Sequence, residues 1–177
     1  MSHKLIHYES SLKDDIHIAD LKDYHFLVPS YQRGYKWRPR DVKFLIYDLI
    51  EYKGDKPYYM QPLVVAKKNG KFIVVDGQQR LTTFFLIWRR LNYLGYFQDH
   101  PFRKLSCFSL EYEKRNASTT YLTINGNTGV FDTPDVRNFK KAEVQIDEII
   151  NNLSIEQIKH FEKNFFEKAT FLWYVLE

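Results

Sequence analysis

The sequence predicts a single α/β (α+β) domain, and three observations carry that expectation. Two β-branched runs, Pro62-Leu63-Val64-Val65-Ala66 and Phe72-Ile73-Val74-Val75, are joined through Asn69-Gly70, a dipeptide suited to the positive φ angles of a tight hairpin turn. The second run ends at Asp76-Gly77 and feeds into Leu81, Phe84, Phe85, Trp88 and Leu91, which recur as one face of a helix up to Gly95. Two further segments, opening at Pro39 and Pro134, repeat apolar residues at the same helical spacing.

In chain order, Ser11 to Asp23 mixes Ile16, Ile18 and Leu21 with acidic residues, a pattern read as a short helix or turn. It runs into a strand at Phe26-Leu27-Val28 that Pro29 closes. Pro39 is a favourable first helical residue, and Val42, Leu45, Ile46, Leu49 and Ile50 continue that helix towards Gly54. The two hairpin strands are expected to be antiparallel neighbours. Cys107 to Tyr112 alternates like a strand, and Thr123 to Thr133 reads as loop. Thr133-Pro134-Asp135 reads as N-cap, first residue and acidic first turn of a helix carrying Phe139, Ala142, Ile146, Ile149 and Ile150. Ser154 with Gln157 has the capping-box form for another short helix, and Phe171 to Val175 is a final strand.

A chain of 177 residues buries roughly two thirds of the surface its unfolded form exposes, which suits one core. At 44% hydrophobic and 27% charged, its composition excludes disorder. Aromatic residues reach 17%, so some rings are expected to face a ligand, a partner or missing chain. A net charge of +4 favours an anionic partner mildly. Cys107 is the only cysteine, which excludes an intrachain disulfide and a cysteine zinc site and fits the reducing cytoplasm. No apolar run is long enough for a membrane span, and no signal peptide is visible. The six His show no metal-ligand spacing, and no GxxxxGK[ST], HExxH, GxSxG or GxGxxG motif occurs. The apolar strand stopping at Leu176-Glu177 is expected of a domain truncated on its C-terminal side.

Three segments could carry chemistry. At Asp76-Gly77-Gln78-Gln79-Arg80 a strand end, a helix N-terminus and a carboxylate meet, and phosphates bind well at such places. Gly77 allows close backbone approach, Gln78 and Gln79 offer amides, Arg80 offers a bidentate phosphate donor, and Thr82 and Thr83 add hydroxyls. The same pattern also fits a helix cap with a surface ion pair. In Val28-Pro29-Ser30-Tyr31-Gln32-Arg33-Gly34-Tyr35-Lys36-Trp37-Arg38 rings alternate with cations after a strand, as suits a stacked base over phosphates or single-stranded nucleic acid. Packing of Tyr35 and Trp37 on the next helix is the alternative. At Glu111 to Asn116 a strand end delivers Arg115, or else forms a solvated charged turn.

Together, Pro29-x-Tyr31-Gln32-Arg33-x-Tyr35-x-Trp37, Val75-Asp76-Gly77-Gln78-Gln79-Arg80-Leu81-Thr82-Thr83 and Tyr112-x-Lys114-Arg115 resemble the N-terminal domain of GmrSD-type modification-dependent restriction proteins. The resemblance extends to Phe171-Leu172-Trp173-Tyr174-Val175. It implies a ParB/sulfiredoxin-like fold, a small mixed sheet with packed helices. It also implies nucleoside triphosphate binding and hydrolysis in the full-length protein, coupled to phage defence against modified DNA, with a separate C-terminal nuclease domain or subunit as partner.

On that reading a triphosphate with Mg²⁺ lies over the N-terminus of the helix opening near Gln78. Arg80 and Arg33 grip phosphates, and Gly77, Gln78, Gln32, Thr82 and Arg115 line the site. Asp76 holds Mg²⁺ or orients the attacking water, Gln79 helps to place that water, and Tyr31 flanks the base or ribose. A non-enzymatic DNA-binding or modification-sensing module is the alternative, and a ParB-like nuclease ranks behind both.

Overall fold

The computed structural model describes residues 10–94, 107–124 and 132–176. Its strands are β1 (Ser10–His17), β2 (His25–Val28), β3 (Tyr58–Lys68), β4 (Lys71–Asp76), β5 (Ser109–Tyr112) and β6 (Ala169–Leu176). Its α-helices are α1 (Pro39–Glu51), α2 (Gln78–Leu94), α3 (Asn116–Thr123), α4 (Pro134–Asn151) and α5 (Ile155–Lys163). The strands form one mixed sheet in the order β1-β6-β3-β4-β2-β5, as the α/β reading requires.

The hairpin forms as expected: β3 and β4 are antiparallel, and Asn69 and Gly70 take φ of 50° and 76° at the turn. β2 lies between β4 and β5 and is parallel to both. The chain therefore leaves β2, β4 and β5 at the same edge of the sheet, at Val28, Asp76 and Tyr112. That topology places the three candidate segments together, since each follows one of these strand ends.

Helix starts follow the local chemistry. The Thr133 side chain accepts from the Val136 N–H at 3.4 Å, with Pro134 opening α4. Ser154 and Gln157 close a capping box on α5. α2 is buried on nearly every side. Its Phe84 and Trp88 rings meet Phe171 and Phe166 at 5.4 and 5.1 Å, while Arg89 and Arg90 pair with Glu143 and Asp147 of α4.

The structure departs from, or adds to, the local reading at several points. Residues 10–17 form a strand, and only Ile18–Leu21 make a short 3₁₀ turn, because pairing with β6 decides their conformation and the local pattern does not reveal it. The final strand, β6, lies inside the sheet, antiparallel to β1 and parallel to β3. The aromatic excess is mostly spent on the core, where Trp88, Trp173, Phe26, Phe84, Phe108 and Phe139 are fully buried. Finally, α3 opens one residue after Arg115 in a stretch with weak helical propensity. Tertiary bonds hold it: Arg89 donates to the carbonyls of Tyr121 and Leu122 at 2.8 and 3.0 Å, and the Tyr112 N–H donates to Thr119 Oγ1 at 2.8 Å. The central part of the expected Thr123 to Thr133 loop and the Gly95 helix stop lie outside the described residues. No helix among the described residues is long and apolar enough to cross a membrane.

Candidate functional site

The site begins with two buried glutamines. Gln78 Nε2 donates to the Arg33 carbonyl at 2.6 Å. Gln79 Nε2 donates to the Gly34 carbonyl at 3.1 Å, and its Oε1 accepts from the N–H groups of Lys36 and Trp37 at 2.7 and 3.3 Å. The first turn of α2 thus supplies the hydrogen bonds that the loop following β2 cannot make with itself. Gln32 Nε2 adds a bond to the Val75 carbonyl at 2.7 Å, and Arg115 Nη2 holds the Gln32 carbonyl at 3.3 Å from the opposite side. We call this tethered segment, Gln32 to Trp37, the strap.

Between the strap and the start of α2 lies a polar cleft of about 200 Å³, whose lining includes Arg33, Gln61, Asp76, Gly77 and Arg80. Gly77 is required at its base: φ is 93°, and a Cβ there would come within 2.7 Å of Leu63 Cδ1. The Leu81 N–H returns to the Gly77 carbonyl at 3.0 Å. The amides of Gln78, Gln79 and Arg80 therefore occupy the positions that a helix leaves without intrahelical acceptors.

Arg80 runs back over this turn. Its guanidinium donates to Gln61 Oε1 and, at 2.9 Å, to the Pro62 carbonyl, while Nε is buried without a partner. Burial lowers its pKa from the ordinary arginine value, opposed by the nearby Asp76 carboxylate, and an arginine so placed stays charged. Among the described residues no ion pair neutralises Arg80 or Arg33. Arg33 and Arg80 thus set two cations against the one carboxylate of the cleft lining, Asp76.

The structure brings Gln32, Arg33, Asp76, Gly77, Gln78, Gln79 and Arg80 together at this cleft. Three other candidates lie elsewhere. Thr82 is fully buried behind Gln78, bonded to the Gln78 carbonyl at 2.9 Å and the Tyr112 hydroxyl at 2.7 Å. Burial pushes the pKa of that hydroxyl up to about 12 despite the bonds from Gln78 and Thr82. Arg115 pairs with Asp135 at 3.2 Å beyond the strap. Tyr31 is 72% exposed and lines neither side of the strap. Its neighbour Tyr35 is core, with its hydroxyl 2.8 Å from Thr83 Oγ1 and its ring on Phe139.

Sequence reasoning missed Gln61, which lies far from Arg80 in the chain and reaches it only through the β3–β4 pairing. Its position just before Pro62 gave no local signal. Among the described residues no group of three His, Cys, Asp or Glu side chains could hold a metal ion. Asp76 is the carboxylate in the cleft lining. One carboxylate, with waters and substrate phosphates completing the shell, is a set that suits Mg²⁺.

A family model described as GmrSD restriction endonuclease, N-terminal domain, matches residues 14–176. The chain belongs to that family. The match covers every helix and strand described above except the first residues of β1, and the strap and cleft lie inside it. No curated protein matches the chain.

Proposed function

We propose that this domain is the nucleoside triphosphate-binding module of a restriction protein, with the phosphates seated in the cleft over the N-terminus of α2. The observation that carries the reading is Arg80, a half-buried cation without an ion-pair partner, packed over a helix start whose glycine leaves the backbone open. Helix amides and a guanidinium converging on one polar cleft favour a phosphate. Arg33 approaches the same volume from the strap.

Hydrolysis in the intact protein is part of the proposal. Phosphoryl transfer depends on positioning and charge neutralisation, and Arg80, Arg33 and the α2 amides suit that task. Asp76 would hold Mg²⁺ through its carboxylate or orient the attacking water. Mg²⁺, when bound, would offset phosphate charge. Gln78 and Gln79 act as positioning residues through the strap. Tyr31, exposed one residue before Gln32, offers a ring face to a base.

Calorimetry of the intact protein against the four ribonucleoside triphosphates with Mg²⁺ tests this reading. Arg80→Ala should lower affinity roughly ten- to a hundred-fold, the effect of losing a charge-assisted contact of about 1.5–3 kcal/mol. Unchanged affinity would remove Arg80 from the phosphate site and the proposal with it.

A further inference from the structure

The strap has a second side. Opposite the cleft it borders a recess of about 590 Å³, walled by Arg33, Lys36, Lys114 and Arg115 and floored by Ser118 and Asp135. Arg33 lines both spaces. Two bonds fasten the strap to this side, Arg115 Nη2 to the Gln32 carbonyl at 3.3 Å and Asn138 Nδ2 to the Tyr35 carbonyl at 2.8 Å. Gly34 is pressed onto the first turn of α4, where a Cβ would fall 1.9 Å from Asp135 Oδ1.

The charge balance of the recess is one-sided. Asp135 is the acid in its described lining, and it is 4% exposed, with Arg115 at 3.2 Å and Ser118 at 3.1 Å occupying its Oδ2. Arg33, Lys36 and Lys114 stand exposed at the mouth, and none of them enters an ion pair among the described residues. Lys114 takes φ of 58°, left-handed backbone, at the turn between β5 and α3. The first turns of α3 and α4 open here too, at Asn116 and Pro134, adding their partial positive charge.

We propose that this recess takes the phosphodiester backbone of a nucleic-acid strand, with Lys36 and Lys114 against neighbouring phosphates. Cations spread around a wide mouth, on the strap and on the β5–α3 turn, fit a chain of anions better than one small anion, which needs donors converging on a point. The recess is about three times the volume of the cleft, so a strand would run past the nucleotide site and meet it at Arg33. The recess stands on its own side chains; only the shared use of Arg33 rests on the nucleotide reading.

The test is fluorescence anisotropy of a short fluorescein-labelled DNA strand, single and duplex, with the intact protein between about 50 and about 200 mM salt. Lys36→Glu/Lys114→Glu should weaken binding at least ten-fold at the lower salt and reduce the slope of log affinity against log salt by about 2, one unit for each lost phosphate contact. Lys36→Arg/Lys114→Arg should bind as wild type does. Triphosphate affinity, measured in parallel, should stay within about two-fold in both variants, so that this test and that of Arg80 fail separately. Equal DNA affinity and equal slope in wild type and the Glu variant overturn the proposal. So does polyglutamate that binds as tightly as DNA and is lost equally in that variant, a result that assigns the recess to an acidic protein partner.

Discussion

Gln79 clamps Lys36: the side-chain carbonyl of one accepts the backbone N–H of the other at 2.7 Å, across the cleft wall. The same amide also serves Trp37 and Gly34. A glutamine that a linear reading assigns to a ligand is thereby the fastening of the strap that carries Arg33.

Replacing Gln79 with Leu leaves two N–H groups and one carbonyl of the strap without their partner. The expected loss is about 3 kcal/mol, or a fall in Tm of roughly 6–12 °C for a domain of this size. Differential scanning calorimetry reads it directly. A Tm equal to that of wild type would mean that the strap is held by other contacts.

Gly77→Ala should destabilise by about 3 kcal/mol from two sources. The positive φ strains any side chain, and the new Cβ meets Leu63 Cδ1. Leu63→Ala removes the second source only, so the double variant should be more stable than the sum of the single losses by about 1 kcal/mol. Strict additivity in urea denaturation would show that the close approach costs nothing.

Glu162 of α5 is 2% exposed and its buried Oε1 has no partner. Burial raises its carboxyl from the ordinary 4.5 to about 7, with Lys159 opposing. The folded state thus binds this proton more tightly than the unfolded state, so its contribution is complete below about pH 4.5 and is lost as pH rises towards 7. Glu162→Gln should abolish that loss and raise stability at pH 8 by about 1–2 kcal/mol, with little effect at pH 4.5. If variant and wild type show the same pH profile of stability, Glu162 is not the group responsible.

What this protein owes to sequence alone is the set of locally encoded features. Pro39, Thr133-Pro134 and the Ser154–Gln157 box start helices through bonds made within one turn. Asn69-Gly70 closes the β3–β4 hairpin through its own φ preferences, and Asp76-Gly77 ends β4 where α2 begins. The segment Asp76 to Arg80 that lines the cleft was legible for the same reason, since its five residues are contiguous. Tertiary structure decided the rest. β1 and α3 exist because partners distant in the chain supply their hydrogen bonds. Parallel pairing of β2 with β4 and β5 set Arg33, Arg80 and Arg115 along one edge, and the strap then parted Arg115 from Arg80 and left Arg33 between them. Spacing along a chain cannot show on which side of a loop a side chain falls, because the bonds that fix the loop, Gln79 to Lys36 among them, join residues more than forty positions apart.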